Sequence, residues 1–321
     1  MLPPPLVSIL IPSYKPQFFE SALLSGLAQS WPNVEILVSD NCPTEEIAEI
    51  CARYPKVNYV RNPQRGARGN CVHLIDRASG DYLKFLLDDD LLHPLCVQQL
   101  MEPFLGPVAE NFAVSFSSRW RIDEHSRVIE KAPAIQIAGP EGGEIVRTEA
   151  GLKVSVPAQR TQSGALGIPG DTVIRMSLAY ATNFIGELST VLFRKSDILA
   201  NHPDPFSFFG TRILGLGDIA STCFLASRGH AWYVPEALSF FRTHEAQNSN
   251  PQSNSEFNLA ITDWTVLIET ALAEGLLSAP EASHGLRASA ATAKPYFESL
   301  PSLVEWSEQI LRRAAELEAE G

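Results

Sequence analysis

Four short, mostly apolar runs, each halted by polar residues, limit what this chain can become. Leu6–Ile11 closes at Pro12, Val34–Ser39 stops at Asp40-Asn41, Val57–Val60 follows, and Leu83–Leu87 ends at Asp88. Between the first two, Phe18–Gln29 carries Phe19, Ala22, Leu23 and Leu27 at helical spacing. Thr44–Tyr54 opens with a Thr-Glu-Glu start signal and continues through Ile47, Ile50 and Cys51 as a second helix. Uninterrupted apolar strands alternating with helices predict an α/β fold with a mostly parallel sheet covered on both faces. Ligands of such sheets sit beyond the carboxyl ends of the strands. That rule singles out Pro12-Ser13-Tyr14, Asp40-Asn41 and Asp88-Asp89-Asp90.

With 321 residues, the chain can hold one large α/β domain plus an appendage. A formal net charge of −12 disfavours general affinity for nucleic acid, whose phosphates it would repel. No run approaches the roughly 18 apolar residues of a membrane span. The start, Met1-Leu-Pro-Pro-Pro5, lacks the basic and apolar regions of a secretory signal. The five cysteines, Cys42, Cys51, Cys71, Cys96 and Cys223, show no CxxC spacing and suit reduced thiols. A cytoplasmic protein is expected, with peripheral attachment to the inner face of the membrane as the variant.

From residue 122 to 178 the texture turns to Gly, Pro, Gln and Thr without clear periodicity, so an irregular insertion or lid is expected there. Order resumes near Tyr180, with a strand at Thr190–Phe193, a helix starting at Gly217 or Asp218, and a strand at Ala231–Val234. Beyond residue 250 apolar residues recur at three-to-four spacing, among them Leu259, Trp264, Leu267 and Ile268, then Leu303, Trp306, Ile310 and Leu317. The expected division is a domain over 1–250 and a helical extension over 251–321, whose helices offer a homodimer surface.

Asp88-Asp89-Asp90 is the strongest chemical signal. Three adjacent carboxylates after a buried strand repel one another and raise a pKa unless something positive offsets them. Mg²⁺ or Mn²⁺, hard and oxygen-seeking, would do so while bridging to phosphate oxygens. A solvated turn, or a helix cap by Asp90, is the plainer reading of the same residues.

The ordered set Val7–Tyr14, Glu35–Asn41 and Gly80–Asp90 resembles the inverting family 2 glycosyltransferases, which have the GT-A fold. Gly66–Asn70, Glu187 before the strand Ser189–Arg194, Gly217-Asp218 and Phe241-Arg-Thr-His244 extend the resemblance. It implies a GT-A three-layer α/β/α domain that moves a sugar from a nucleotide-diphosphate donor, UDP- or dTDP-linked, to a hydroxyl of a glycan, lipid-linked or protein acceptor. By resemblance, Asp40 accepts a hydrogen bond from the nucleobase, and Ser13 and Tyr14 contact base and ribose. Asp88 takes the ribose side, Asp89 lies between, and Asp90 holds Mn²⁺ or Mg²⁺, with His244 completing the metal shell or meeting the diphosphate. Arg65 and Arg68 sit near the donor, and Arg242 neutralises phosphate charge as the bond breaks. Asp218 is the expected general base, while Asn183 and Glu187 are acceptor-pocket candidates.

Three departures stand out. Gly217 replaces the usual acid before Asp218, Asn41-Cys42-Pro43 replaces the frequent Asp-Gly-Ser, and Ser13-Tyr14-Lys15 alters the run after the first strand. Two other readings compete. A non-catalytic nucleotide-sugar binder would tolerate loss of Asp218. A sugar-1-phosphate nucleotidyltransferase would carry a Gly-rich basic signature after its first strand, where this chain has Ile11-Pro-Ser-Tyr-Lys-Pro16.

Overall fold

The computed structural model describes residues 3–63, 66–132, 136–138, 143–147, 152–156, 159–160, 164–247 and 257–320. In chain order its elements begin β1 (Val7–Ser13), α1 (Pro16–Leu27), β2 (Val34–Asp40), α2 (Glu46–Ala52), β3 (Val57–Arg61), α3 (Ala67–Arg77), β4 (Tyr82–Phe85) and β5 (Leu91–Leu92). Next come α4 (Cys96–Leu100), β6 (Phe112–Ile122), β7 (Val128–Ala132), β8 (Gln136–Ala138), β9 (Gly143–Arg147), β10 (Leu152–Val156), β11 (Gln159–Arg160) and β12 (Leu166–Ile168). The rest is α5 (Gly170–Leu178), β13 (Val191–Arg194), α6 (Lys195–Leu199), α7 (Gly217–Arg228), β14 (His230–Arg242), α8 (Phe257–Ala273), α9 (Ala279–Ala293) and α10 (Ser302–Glu320).

Two compact units emerge. The first comprises residues 1–168, 185–200 and 229–243; the second comprises 169–184, 201–228 and 244–321. The first is built on an eleven-stranded sheet whose main path runs β11-β12-β14-β6-β13-β4-β1-β2-β3. β1 pairs in parallel with both β2 and β4, β2 with β3, and β14 with β6. β13 is antiparallel to both β4 and β6, so the other six strands from β14 to β3 point one way. Val7, Ile9 and Ile11 on one face of β1 pack with Phe19, Ala22 and Leu23 of α1 and Ile47 and Cys51 of α2. Helix α3 lies against β1 and β2 and buries Leu74 and Ile75 outside that cluster. The α/β class with a mostly parallel central sheet and helices on both faces is therefore as expected.

The stretch expected to be irregular, 122–178, contains paired strands among its described residues. β7 returns antiparallel along β6, β8, β9 and β10 form a separate three-stranded sheet, and β12 joins the main sheet beside β14. The division also differs from a cut at residue 250. Helix α5, with residues 169–184, and helix α7, with residues 201–228, belong to the same compact unit as the tail helices.

The second unit is helical. Ser278 caps α9 in a reciprocal arrangement with Glu281, the residue pattern that starts helices best. Gly285 on α9 lets the helix approach α5 closely, since a Cβ there would lie 2.4 Å from the Leu178 carbonyl oxygen. All five cysteines are free and buried. No helix among the described residues is long and apolar enough to cross a membrane.

Candidate active site

Because β1, β2, β4, β6 and β14 run the same way, their carboxyl ends gather along one edge of the first unit's sheet. Hydrogen bonds tie those ends together: Asn41 N–H donates to the Ser13 carbonyl at 2.8 Å, and Asn62 N–H to the Asp40 carbonyl at 2.9 Å. Three buried asparagines brace the same edge. Asn41 Nδ2 donates to the Asn62 carbonyl at 2.8 Å, Asn62 Nδ2 to Asn70 Oδ1 at 3.2 Å, and Asn70 Nδ2 to the Ser39 carbonyl at 2.9 Å.

The acids after β4 sit at the centre of this edge. Asp88 Oδ2 accepts the backbone N–H groups of Tyr14 at 2.7 Å and Lys15 at 3.0 Å, clasping the turn after β1. Burial pushes the Asp88 carboxyl up to about 6, against the pull of those two N–H groups, and the charge of Asp89 adds to the rise. Asp90 is buried; its Oδ1 accepts Arg242 N–H at 3.1 Å, while Oδ2 has no hydrogen-bond partner. Burial, then the nearby carboxylates of Asp89 and Glu187, hold the Asp90 carboxyl well above its usual range, with the Ser189 side chain opposing.

Glu187 forms an ion pair with Arg119 at 3.1 Å. Gly186 precedes it at φ +100, and a Cβ there would lie 2.5 Å from Arg119 Nη1. A side chain at 186 would thus strain the backbone and displace the guanidinium that balances Glu187. Arg119, half-buried in the second half of β6, is a residue the sequence reading missed; it carries no motif, and a strand assignment to β6 would have been needed to find it.

A buried carboxylate oxygen without a partner, beside two further acids, suits a hard divalent cation. Among the described residues no group of three or more His, Cys, Asp or Glu forms a ready cage. That is compatible with Mg²⁺ or Mn²⁺ held by one or two carboxylates and completed by phosphate oxygens.

Other expected donor residues are more enclosed than their motifs suggest. Asp40 is fully buried: Oδ1 accepts Cys42 N–H at 2.6 Å, and Oδ2 accepts Tyr59 Oη–H at 2.8 Å and Arg61 Nη1–H at 2.7 Å. The Ser13 hydroxyl is also buried, 3.4 Å from the Ile11 carbonyl, whereas Tyr14 is 56% exposed. Arg68 is half-buried in the first turn of α3; Arg65 lies outside the described residues.

Arg242 is buried and serves the scaffold of the edge. Its Nε donates to the Asp89 carbonyl at 2.8 Å, and Nη1 to the Asp123 carbonyl and Ser126 Oγ, each at 3.0 Å. Its guanidinium stacks on the Phe18 ring at 4.4 Å. Its Nε and Nη1 are thus taken up by carbonyls and a hydroxyl, while Nη2 is buried without a hydrogen-bond partner.

In the second unit, Asp218 occupies the first turn of α7 and is half-buried. Asn183 Nδ2 donates to Asp218 Oδ2 at 3.1 Å, so two residues singled out separately in the sequence meet here. The loop entering α7 is held by Asp263 of α8, whose Oδ2 accepts the N–H groups of Leu214 at 2.9 Å, Gly215 and Leu216 at 3.0 Å. Gly215 permits this approach, because a Cβ would lie 2.6 Å from the Ala260 backbone. Asp263 was also missed, although an aspartate within the apolar face Ile261, Trp264, Leu267 and Ile268 is itself a signal that a buried donor awaits it. His244 packs with this unit, half-buried, its N–H donating to Gln247 Oε1 at 2.9 Å; the following Asn248-Ser249 lie outside the described residues.

Comparison with known proteins agrees with this layout. Residues 8–152 match the family model described as glycosyl transferase family 2. A putative teichuronic acid biosynthesis glycosyltransferase, TuaG of Bacillus subtilis, is 33% identical over 93 residues, 27% of this chain and 36% of TuaG. The GalNAc(5)-diNAcBac-PP-undecaprenol beta-1,3-glucosyltransferase of Campylobacter jejuni is 30% identical over 105 residues, 30% of this chain and 34% of that enzyme. The chain spans 21% to 38% of the length of the curated relatives it matches. Among solved structures, S. aureus TarS 1-349 superposes with a TM-score of 0.60 at 13% identity, covering 96% of this chain and 80% of TarS. The same protein in complex with UDP-GlcNAc gives a TM-score of 0.56 at 14% identity, over 91% and 72%.

The fold is therefore GT-A. Residues 8–152 carry the signature of glycosyl transferase family 2.

Proposed function

We propose that this protein transfers a sugar from a nucleotide-diphosphate donor, UDP- or dTDP-linked, to an acceptor hydroxyl in the synthesis of a surface polysaccharide or another glycan. The observation that carries the reading is Asp90 itself. It is buried at the carboxyl end of the sheet beside Asp88, Asp89 and Glu187, with one oxygen unpartnered. A folded protein keeps such a group only if something compensates it. Relatives whose names specify teichuronic acid synthesis and glucosyl transfer to a lipid-linked glycan support the acceptor class. The UDP-GlcNAc complex of TarS supports a UDP-sugar donor.

In this reading Asp90 holds Mn²⁺ or Mg²⁺ with Asp88 and Asp89 at its side. The metal would supply positive charge to the departing diphosphate. Asp218 takes the proton of the acceptor hydroxyl as its oxygen bonds to the anomeric carbon; the bond from that carbon to the phosphate oxygen breaks, and the nucleoside diphosphate leaves. Attack opposite the leaving group inverts the anomeric centre. Asn183, donating to Asp218 Oδ2, orients the base. Glu187, held by Arg119, is the candidate for contacts with the sugar or acceptor.

Nucleotide release from a panel of UDP- and dTDP-sugars, with Mn²⁺ or Mg²⁺ and a glycan-containing acceptor fraction, tests the reading. Metal-dependent release from one donor, lost in Asp218→Asn, is expected. Release that is unchanged in Asp218→Asn would remove Asp218 as base, and no release from any donor would overturn the proposal.

A further inference from the structure

Lys84 is a polar anomaly in the core of the first unit. It is fully buried in the central strand β4, flanked in register by Ile9 of β1 and Leu192 of β13, both members of the apolar cluster. An ammonium in such surroundings is costly unless its donors are used, and burial pushes it below its ordinary range. The donors are used: Nζ bonds to the Phe85 carbonyl at 3.1 Å and to the Ser189 carbonyl.

Ser189 completes a loop back to the acids. Its Oγ accepts Leu87 N–H at 3.0 Å, while Leu86 N–H bonds to the Leu10 carbonyl at 2.9 Å. The backbone from Phe85 to Leu87 is thus pinned at three successive residues, by Lys84, by β1 and by Ser189. Asp88 begins immediately after, and the turn closes with Asp90 N–H on the Leu87 carbonyl at 3.1 Å. Ser189 is also two residues from Glu187, so one clamp holds both acidic segments.

We infer that Lys84 is a positioning residue for the acidic turn: through the carbonyls of Phe85 and Ser189, its ammonium fixes the strand end and the Ser189 segment that present Asp90, and so sets how well a divalent cation binds with a nucleoside diphosphate. This rests on the donor-site reading of the acids. A buried ammonium does what a leucine cannot, because it bonds two backbone oxygens from different segments at once. Groups that orient a metal-binding side chain from behind typically change metal affinity about 10- to 100-fold when removed.

The test is calorimetric titration of UDP with and without Mn²⁺ into the wild-type protein, Lys84→Met, Ser189→Ala and the double variant. Methionine keeps the length and apolar fit of the buried stem while leaving the Phe85 and Ser189 carbonyls without that donor. The expected result is about a 10- to 100-fold loss of Mn²⁺-dependent UDP affinity in each single variant, with metal-free UDP binding unchanged. A general loosening of the fold would lower both. Because the two residues act as one clamp, the double variant should lose no more than the weaker single one. Wild-type Mn²⁺ dependence in Lys84→Met overturns the inference, as does a double variant whose losses multiply. Should Lys84→Met fail to fold, wild-type Mn²⁺ dependence in Ser189→Ala overturns it alone. If the wild-type protein binds no UDP at all, the donor-site reading fails first and the inference falls with it.

Discussion

Asp88 and Asp90 have carboxyls raised by burial, and this has a defined consequence for pH. The folded state binds protons at Asp88 that the unfolded chain has already released between its ordinary value, 3.8, and about 6. Stability contributed by this group is therefore full below the lower value and falls as pH rises through the upper one. A bound divalent cation offsets the charge that accumulates, so the gain in thermal midpoint on adding Mn²⁺ should be small at pH 5 and larger at pH 7.5. A gain independent of pH would detach the cation from these acids. On the proton-transfer side, Asp218→Asn should lower turnover about 10²- to 10⁴-fold with donor affinity unchanged, read by steady-state kinetics beside titration. Much of the residue scale was legible, because the acids follow a strand end where a parallel sheet puts its ligands. What the sequence hid was enclosure. Nothing in the motif says that Tyr59 and Arg61 occupy Asp40, or that Arg242 faces the Asp89 carbonyl.

Among the elements, the α7 entry loop depends on one buried carboxylate accepting three N–H groups from consecutive residues. Asp263→Ala would leave those donors without their acceptor, at a cost of about 1–3 kcal/mol, and should lower the unfolding midpoint as well as activity. Gly186→Ala forces a side chain into φ +100 and against Arg119, a strain of about 1–3 kcal/mol. Its crystal structure should show the Arg119–Glu187 ion pair broken. The strands β1 to β4 were readable because each holds a short, mostly apolar run that polar residues bound. β6 was not, because Ser115, Ser117 and Ser118 interrupt its pattern, each hydroxyl finding a buried partner in the Leu100 carbonyl, the Ser118 carbonyl or Tyr233 Oη. β14 was foreshortened to Ala231–Val234 by Pro235-Glu236, which the strand passes with a register shift. Helix α3 was hidden because Gly66 and Gly69 fall at its start.

Over the whole molecule, two compact units share the chain in interleaved segments. Sequence periodicity sees neighbours along the chain, so it found the tail helices but not that α5 and α7 join them in one unit. The family match over residues 8–152 falls within the first unit, as do the acids, whereas Asp218 belongs to the second. A donor site carried by the first unit alone should survive changes to the second, so Asp218→Asn is expected to keep the full nucleotide-induced rise in thermal midpoint. The central claim is that the acids after β4 bind a nucleoside diphosphate with a divalent cation. The most direct measurement is titration calorimetry of UDP, dTDP and GDP with Mn²⁺ or Mg²⁺ into the wild-type protein and Asp90→Asn at pH 7.5. Saturable, metal-dependent binding of UDP or dTDP that Asp90→Asn abolishes is expected. Absence of binding by every nucleotide at millimolar concentration, or equal binding by Asp90→Asn, would contradict it.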